Sequence, residues 1–434
     1  MKTVHPSVYR ASILHFLSDP LKEDEHSYEY FEDGVLVVDE GKVIQLGDAN
    51  ALLAQLDHPA KLVDLRGQLI IPGFVDTHLH YPQIDIMASY GDTLLDWLNH
   101  YTFPAEQAYK DPRRALEAAE FFLDELLKNG TTTAMVFGSV HKTSVNAFFE
   151  ASQTRNTRMI CGKVMMDRRA PQALCDTAEE SYQDSSELIE RWHQKGRQQY
   201  AVTPRFAITS SPAQLEVASQ LLRETPGLKL QTHLSENEEE IALTLKLFPK
   251  ARDYLDVYEG YDLVGENSVF AHAVHVSDSE CQRLAEHKAT IAFCPSSNLF
   301  LGSGLTDIAK FDQHSLGYSL ASDIGAGTRI SMLHTMAEAY KVCRSRGYQL
   351  NALRSFYLAT LGGAQALGLE NKIGSFKPGN EADFVVLNYD STSLMKRRQE
   401  QCESLSDKLF ALLMLGDERC ITSTYVAGKR MYHA

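Results

Sequence analysis

The sequence predicts an α/β protein: a parallel (β/α)8 barrel of the TIM type, carrying a small discontinuous β-sandwich domain built from both ends of the chain. Three observations predict it. Between residues 69 and 323, eight apolar, β-rich runs alternate with amphipathic stretches. Short strand-like runs separated by turn residues occupy both ends of the chain, too few at either end for a sandwich. Finally, the first, fifth, sixth and eighth of the eight runs end on histidine or aspartate, and a barrel carries its catalytic groups at the C-terminal ends of its strands.

In chain order, Ser12–Phe16, Gly34–Val38 and Lys42–Leu46 read as strands of the terminal domain. The barrel runs centre on 69–78, 131–138, 158–166, 200–206, 229–235, 268–274, 289–294 and 318–323. Helical periodicity lies between them, for example over Ala115–Leu127 and Ala213–Leu222. Strand character returns at Ala382–Leu387 and Ser423–Gly428. The expected division is therefore 1–68 with 376–434 for the β-domain and 69–375 for the barrel. A doubly wound open sheet is the second choice, but no glycine-rich dinucleotide fingerprint follows the first run.

With 434 residues, 44% of them hydrophobic, the chain can bury a large core. Its 57 acidic against 42 basic side chains give a net charge of −15, which disfavours a non-specific nucleic-acid binder. The seven cysteines are odd in number and include no Cys-x-x-Cys pair, so they are expected as free, mostly buried thiols in a reducing compartment. Neither a secretory leader nor an uncharged apolar run of membrane-spanning length is visible. The expected location is the cytoplasm, with no membrane partner.

The segment Pro72-Gly73-Phe74-Val75-Asp76-Thr77-His78-Leu79-His80 follows the apolar run Leu69-Ile70-Ile71. Residues i and i+2 of a strand share a face, so His78 and His80 are expected to present two imidazoles to one cation. The fifth run ends on His233 with Glu236 three residues later, the sixth on His272, the eighth on Asp323. Imidazole and carboxylate suit Zn²⁺, with iron or manganese as further options, and three or four such ligands make a catalytic site.

From this set the metal ligands are His78, His80, His233 and Asp323. Glu236 takes a proton from the metal's water and passes it on, and His272 polarises the attacking water or the developing anion. The predicted chemistry is hydrolysis at a polarised carbon, with Glu236, His272 and Asp323 as its catalytic groups. Plainer roles compete for some positions. Asp323 could cap a helix beginning at Ile324, His275 reads as structural, and Glu238-Glu239-Glu240 reads as a solvated helix start.

These motifs resemble the metal-dependent amidohydrolase superfamily. Within it, Thr77-His78-Leu79-His80-Tyr81-Pro82-Gln83, Thr203-Pro204-Arg205-Phe206 and Cys294–Gly304 look like the guanine deaminase family, as do the Arg10–Phe16 stretch and the final strands. The resemblance implies the barrel with its terminal β-sandwich, one zinc ion, a homodimer, and hydrolysis of guanine to xanthine and ammonia. It also implies a purine held by Gln83, Arg205 and Phe206, with His233 at the same pocket. An amide can meet both donors and acceptors on a purine edge, a guanidinium can donate to the ring carbonyl, and a phenyl ring can stack on the base. One residue departs from the pattern: Ala273 follows His272, where glycine is more often expected. Other aminated rings (an oxidised purine, a pterin or a triazine) are the alternative substrates, and a non-catalytic scaffold relative is the alternative of another class.

Overall fold

Alternation of side chains along the terminal strands sorts them onto two faces, and both faces are used. The computed structural model describes residues 6–21, 25–55, 61–91 and 94–434. Its N-terminal strands are β1 (Ser7–Phe16), β2 (Tyr28–Asp39), β3 (Lys42–Asp48) and β4 (Lys61–Pro72). The central strands are β5 (Phe74–His80), β6 (Thr131–Phe137), β7 (Arg158–Gly162), β8 (Val164–Met165) and β9 (Gln199–Pro204). They continue with β10 (Lys229–Leu234), β11 (Ser268–His272), β12 (Thr290–Phe293) and β13 (Gly317–Leu320). The chain ends with β14 (Phe384–Asn388), β15 (Ile421–Val426) and β16 (Lys429–His433).

The terminal strands form one seven-stranded sheet in the order β16-β15-β14-β4-β1-β2-β3. Both chain ends thus build one sheet, as the strand shortage at each end predicts. Ile13, Ile70, Phe384 and Val386 enter the sheet's own core. Their strand neighbours Leu14, Leu69, Ile71, Val385 and Leu387 pack instead into the large core shared with the barrel. The edge strand β3 curls round to bond the segment leading into β14, through Val43 N–H to Asn380 O at 2.8 Å and Gly379 N–H to Val43 O at 2.8 Å.

The central strands run parallel in the order β5-β6-β7-β9-β10-β11-β12-β13, with the short β8 beside β9. Each expected run overlaps one of these strands. The eight-stranded barrel is nearly closed: across the remaining seam the Asp323 N–H donates to His78 O at 3.0 Å, and the Thr77 and Ser319 hydroxyls lie 2.8 Å apart. The expected helices appear as Pro112–Lys128 and Pro212–Glu224, capped by Asp111 and Ser211.

The run Leu69–Ile71 does not begin the histidine-bearing strand. It belongs to β4, which pairs antiparallel with β14. Gly73 separates the two strands, and a Cβ there would come within 2.2 Å of Thr132 Oγ1. Only glycine lets the chain pass so close while turning from one sheet into the other.

Candidate metal and active site

The ends of β5, β10, β11 and β13 converge on a single buried cluster of imidazoles and carboxylates. His78, His80, His233, His272 and Asp323 are all buried. The His78 ring centre lies 4.9 Å from those of both His80 and His233, and the His233 and His272 rings stack at 5.4 Å. His78 Nε2 sits 3.2 Å from Asp323 Oδ1, His80 Nε2 sits 3.5 Å from the same oxygen, and the Nε2 atoms of His80 and His233 are 3.2 Å apart. One ligand atom from each of His78, His80 and His233 falls within 4.8 Å of the others, and so do atoms of His78, His272, Cys294 and Asp323. The four expected ligand residues are therefore brought together.

The donor set fits a divalent cation on its own chemistry. His78 Nε2 is buried with no well-formed hydrogen bond although Asp323 Oδ1 lies 3.2 Å away, a state that buried polar atoms rarely keep unless something else satisfies them. His233 Nδ1 lies 2.6 Å from the Arg205 carbonyl; donating there leaves its Nε2 lone pair facing the cluster. Burial, reinforced by the neighbouring imidazoles, pushes His80 and His233 well below the usual histidine range, so both are neutral and able to ligate. Burial favours a protonated Asp323, but His78 and His272 outweigh it and hold the carboxyl below the usual range. Behind the expected ligands, Asp76 Oδ1 accepts from the Ser322 N–H at 3.0 Å, tying β5 to the segment after β13.

Glu236 and His272 face each other, with His272 Nε2 at 3.5 Å from Glu236 Oε2 and 3.8 Å from Asp323 Oδ2. Burial pushes Glu236 up from the ordinary carboxylate range, partly offset by His272. His272 is raised as well: Glu236 and Asp323 favour its charged form and overcome burial. His272 Nδ1 is 2.8 Å from Asn298 Oδ1, which fixes the ring. His272, Ala273 and Asp323 have φ of 72°, 48° and 51°, the left-handed region that costs a residue with a Cβ. That conformation gives the physical reason for expecting glycine at position 273.

On the other side of the cluster lie Gln83, Arg205 and Phe206, all buried. The Phe206 ring meets His233 edge-on at 6.3 Å. A residue without any sequence signal joins them. Glu106 is fully buried; its Oε1 accepts from Gln83 Nε2 at 2.9 Å, and its two oxygens accept from Arg205 Nη1 at 2.9 and 3.0 Å.

The model of the amidohydrolase family matches residues 69–431. The chain belongs to the amidohydrolase family. It is 52% identical over 95% of its length to the guanine deaminase of Escherichia coli (strain K12), covering 94% of that protein. The solved structure of E. coli guanine deaminase superposes with a TM-score of 0.95 at 49% identity, with 99% of each chain covered. A guanine deaminase from C. acetobutylicum, solved with guanine bound in its active site, superposes at 0.89 with 28% identity, covering 98% of this chain and 100% of that one. Family membership and the buried His/Asp group together imply a divalent metal.

Other details of this amidohydrolase differ from expectation. Glu240 is not solvated: it is buried, its Oε2 accepts from the Glu236 N–H at 2.8 Å, and Tyr254 OH donates to its Oε1 at 2.8 Å. Burial beside Glu236 pushes its carboxyl up to about 7. Only Glu238 and Glu239 face solvent. No helix begins at Ile324, so capping is not the role of Asp323. His275 is structural in the expected sense, with Nε2 2.7 Å from the Ser303 carbonyl. Ser303 and Asn298 lie in the Cys294–Gly304 segment, whose sequence gives a motif but no roles. Five of the seven thiols are buried, and among the described residues no helix is long and apolar enough to cross a membrane.

Proposed function

We propose that this chain hydrolyses guanine to xanthine and ammonia, with one zinc ion held by His78, His80, His233 and Asp323. The observation that carries the reading is the union, at one end of the barrel, of a buried ligand cluster with a buried amide–guanidinium pair. The guanine deaminases it resembles support the same substrate. When bound, zinc supplies Lewis acidity that makes water acidic enough to act as a nucleophile near neutral pH.

The chain's own groups do the rest. Gln83 and Arg205 hold the purine edge, Phe206 packs against the base, and His233 borders the same pocket. Glu236, raised by burial, accepts the proton of the attacking water and delivers it to the departing 2-amino nitrogen, which leaves as ammonia. His272, held by Asn298, donates towards the charge that develops during attack. Asp323 orients the water on its ligand side. The division into 1–68 with 376–434 and 69–375 belongs to the same proposal. So do a homodimer, which rests on the resemblance, and a cytoplasmic location, which the buried thiols support.

The test is ammonia release from guanine by the zinc-loaded protein, with xanthine identified as product and a chelated sample as control. Metal-dependent turnover is expected. A fully metallated protein that leaves guanine untouched removes guanine as substrate and moves the assay to other aminated rings.

A further inference from the structure

Glu106 is fully buried, and its side-chain contacts are to Gln83 and Arg205. A lone buried carboxylate is costly, and pairing with good geometry is what makes it tolerable. Here the pairing is shared. One oxygen receives both Gln83 Nε2 and Arg205 Nη1 at 2.9 Å, and the second receives Arg205 Nη1 at 3.0 Å. The element that presents it is local. A π-helical stretch, Leu98–Thr102, runs into the short helix Phe103–Gln107. Phe103, one turn before Glu106, sets its ring 5.8 Å from the Arg205 guanidinium carbon. The helix therefore contacts Arg205 twice, once by charge and once by an aromatic face.

We propose that Glu106 is a positioning residue that sets which purine the pocket accepts. The proposal rests on the guanine reading above and deepens it. An amide side chain has two orientations that differ only in where oxygen and nitrogen lie. A carboxylate beside Gln83 permits one: Nε2 towards Glu106, leaving Oε1 to accept from the Gly325 N–H at 3.3 Å. The second Nε2 hydrogen is then free for the substrate. The guanidinium is fixed in the same way, one nitrogen spent on Glu106 and its remaining donors available to an acceptor on the ring. A carbonyl at the purine 6-position satisfies them. An amino group there opposes donor to donor, and a site built around fixed donors rejects such an analogue strongly. Without Glu106 both side chains can turn, and the discrimination falls.

The probe is 2,6-diaminopurine, which carries the same departing 2-amino group as guanine but an amino group in place of the 6-carbonyl. The wild-type zinc enzyme and Glu106→Gln are assayed on both compounds for kcat and KM, with zinc content measured. The expected result is a fall of at least about tenfold in the guanine-to-diaminopurine ratio of kcat/KM, the scale of one lost directional hydrogen bond, with zinc content unchanged and the guanine KM raised. A proportional loss on both compounds, leaving the ratio as in wild type, assigns Glu106 to folding alone and overturns the proposal. If Glu106→Gln does not fold, Glu106→Asp decides: its carboxylate still neutralises Arg205 but is one methylene too short to hold both partners. A lowered ratio supports the proposal, and an unchanged one overturns it. A wild-type enzyme inactive on guanine fails the underlying reading, and this proposal with it; an active wild type with an unchanged ratio in the variant fails this proposal only.

Discussion

The Ser303 hydroxyl donates a hydrogen bond to Glu236 Oε1 at 3.0 Å. It reaches the carboxylate from the segment after β12, and the segment is itself held by His275 Nε2 at 2.7 Å from the Ser303 carbonyl. Burial raises Glu236, while His272 and this hydroxyl oppose the rise. The balance matters because a general base must be ionised yet not too weak.

Removing the hydroxyl tests the balance. Ser303→Ala takes away a bond that favours the charged form, so Glu236 rises further. The base is active above its pKa and lost as pH falls through it. The acid limb of kcat/KM should therefore move to higher pH by roughly 0.7 unit, the equivalent of about 1 kcal/mol of hydrogen bonding. An acid limb that stays where it is in wild type means that Glu236 is not the group titrating there.

Glu236 and His78 should separate proton transfer from metal binding. Glu236→Gln keeps the shape of the side chain and the ligand cluster, so zinc content should match wild type while kcat falls by about 10²–10⁴. His78→Ala removes a ligand and should lose zinc and rate together. Metal analysis alongside steady-state kinetics checks both; full activity in Glu236→Gln takes that residue out of the proton path.

The clustering of the proposed ligands was legible because each stands at the polar end of an apolar run, where strand periodicity and barrel geometry together say which way it points. Glu106 offers no such signal. Its partners Gln83 and Arg205 are 23 and 99 residues away, and it sits on a five-residue helix, too short for any periodicity. Glu240 misled for a different reason. It is the third of three consecutive glutamates, and its bonds from the Glu236 and Asn237 N–H groups and from Tyr254 OH set it apart from its exposed neighbours. Strand β4 went unmarked over its first half because Lys61, Asp64, Arg66 and Gly67 look like a turn-rich loop; its parallel pairing with β1 is a contact between distant segments that overrides local propensity.

Ala273 carries avoidable strain. With φ at 48° its Cβ costs about 1 kcal/mol or more, whereas glycine adopts this region freely and loses part of the gain through its more flexible unfolded chain. Ala273→Gly should stabilise the protein by roughly 0.5–1 kcal/mol, seen as a higher denaturant midpoint at an unchanged slope. The His272–Asn298 contact does not depend on this side chain, so kcat should hold. A lower midpoint would show that the methyl group's packing outweighs the strain.

The joint between the terminal sheet and the barrel should weaken in acid. Glu381, just ahead of β14, accepts from Arg158 Nε at 2.8 Å and from Arg197 Nε and Nη2 at 3.0 and 2.6 Å. Arg158 opens barrel strand β7, Arg197 precedes β9, and Arg197 also pairs with Asp383. Burial favours a protonated Glu381, but the two guanidinium groups overcome it and bring the carboxyl down to about 2 from an ordinary 4.5. A group depressed on folding stabilises the fold above its unfolded pKa and ceases to do so as pH falls through the folded one. The contribution is therefore complete above about pH 4.5 and disappears towards pH 2. Glu381→Gln should cost about 3 kcal/mol at pH 7, as expected for a broken buried pair, and the gap from wild type should close as the pH is lowered across that window. Denaturant melts of the two proteins between pH 7 and pH 2 make the comparison, and a gap that stays constant with pH would show that shape rather than charge holds the joint.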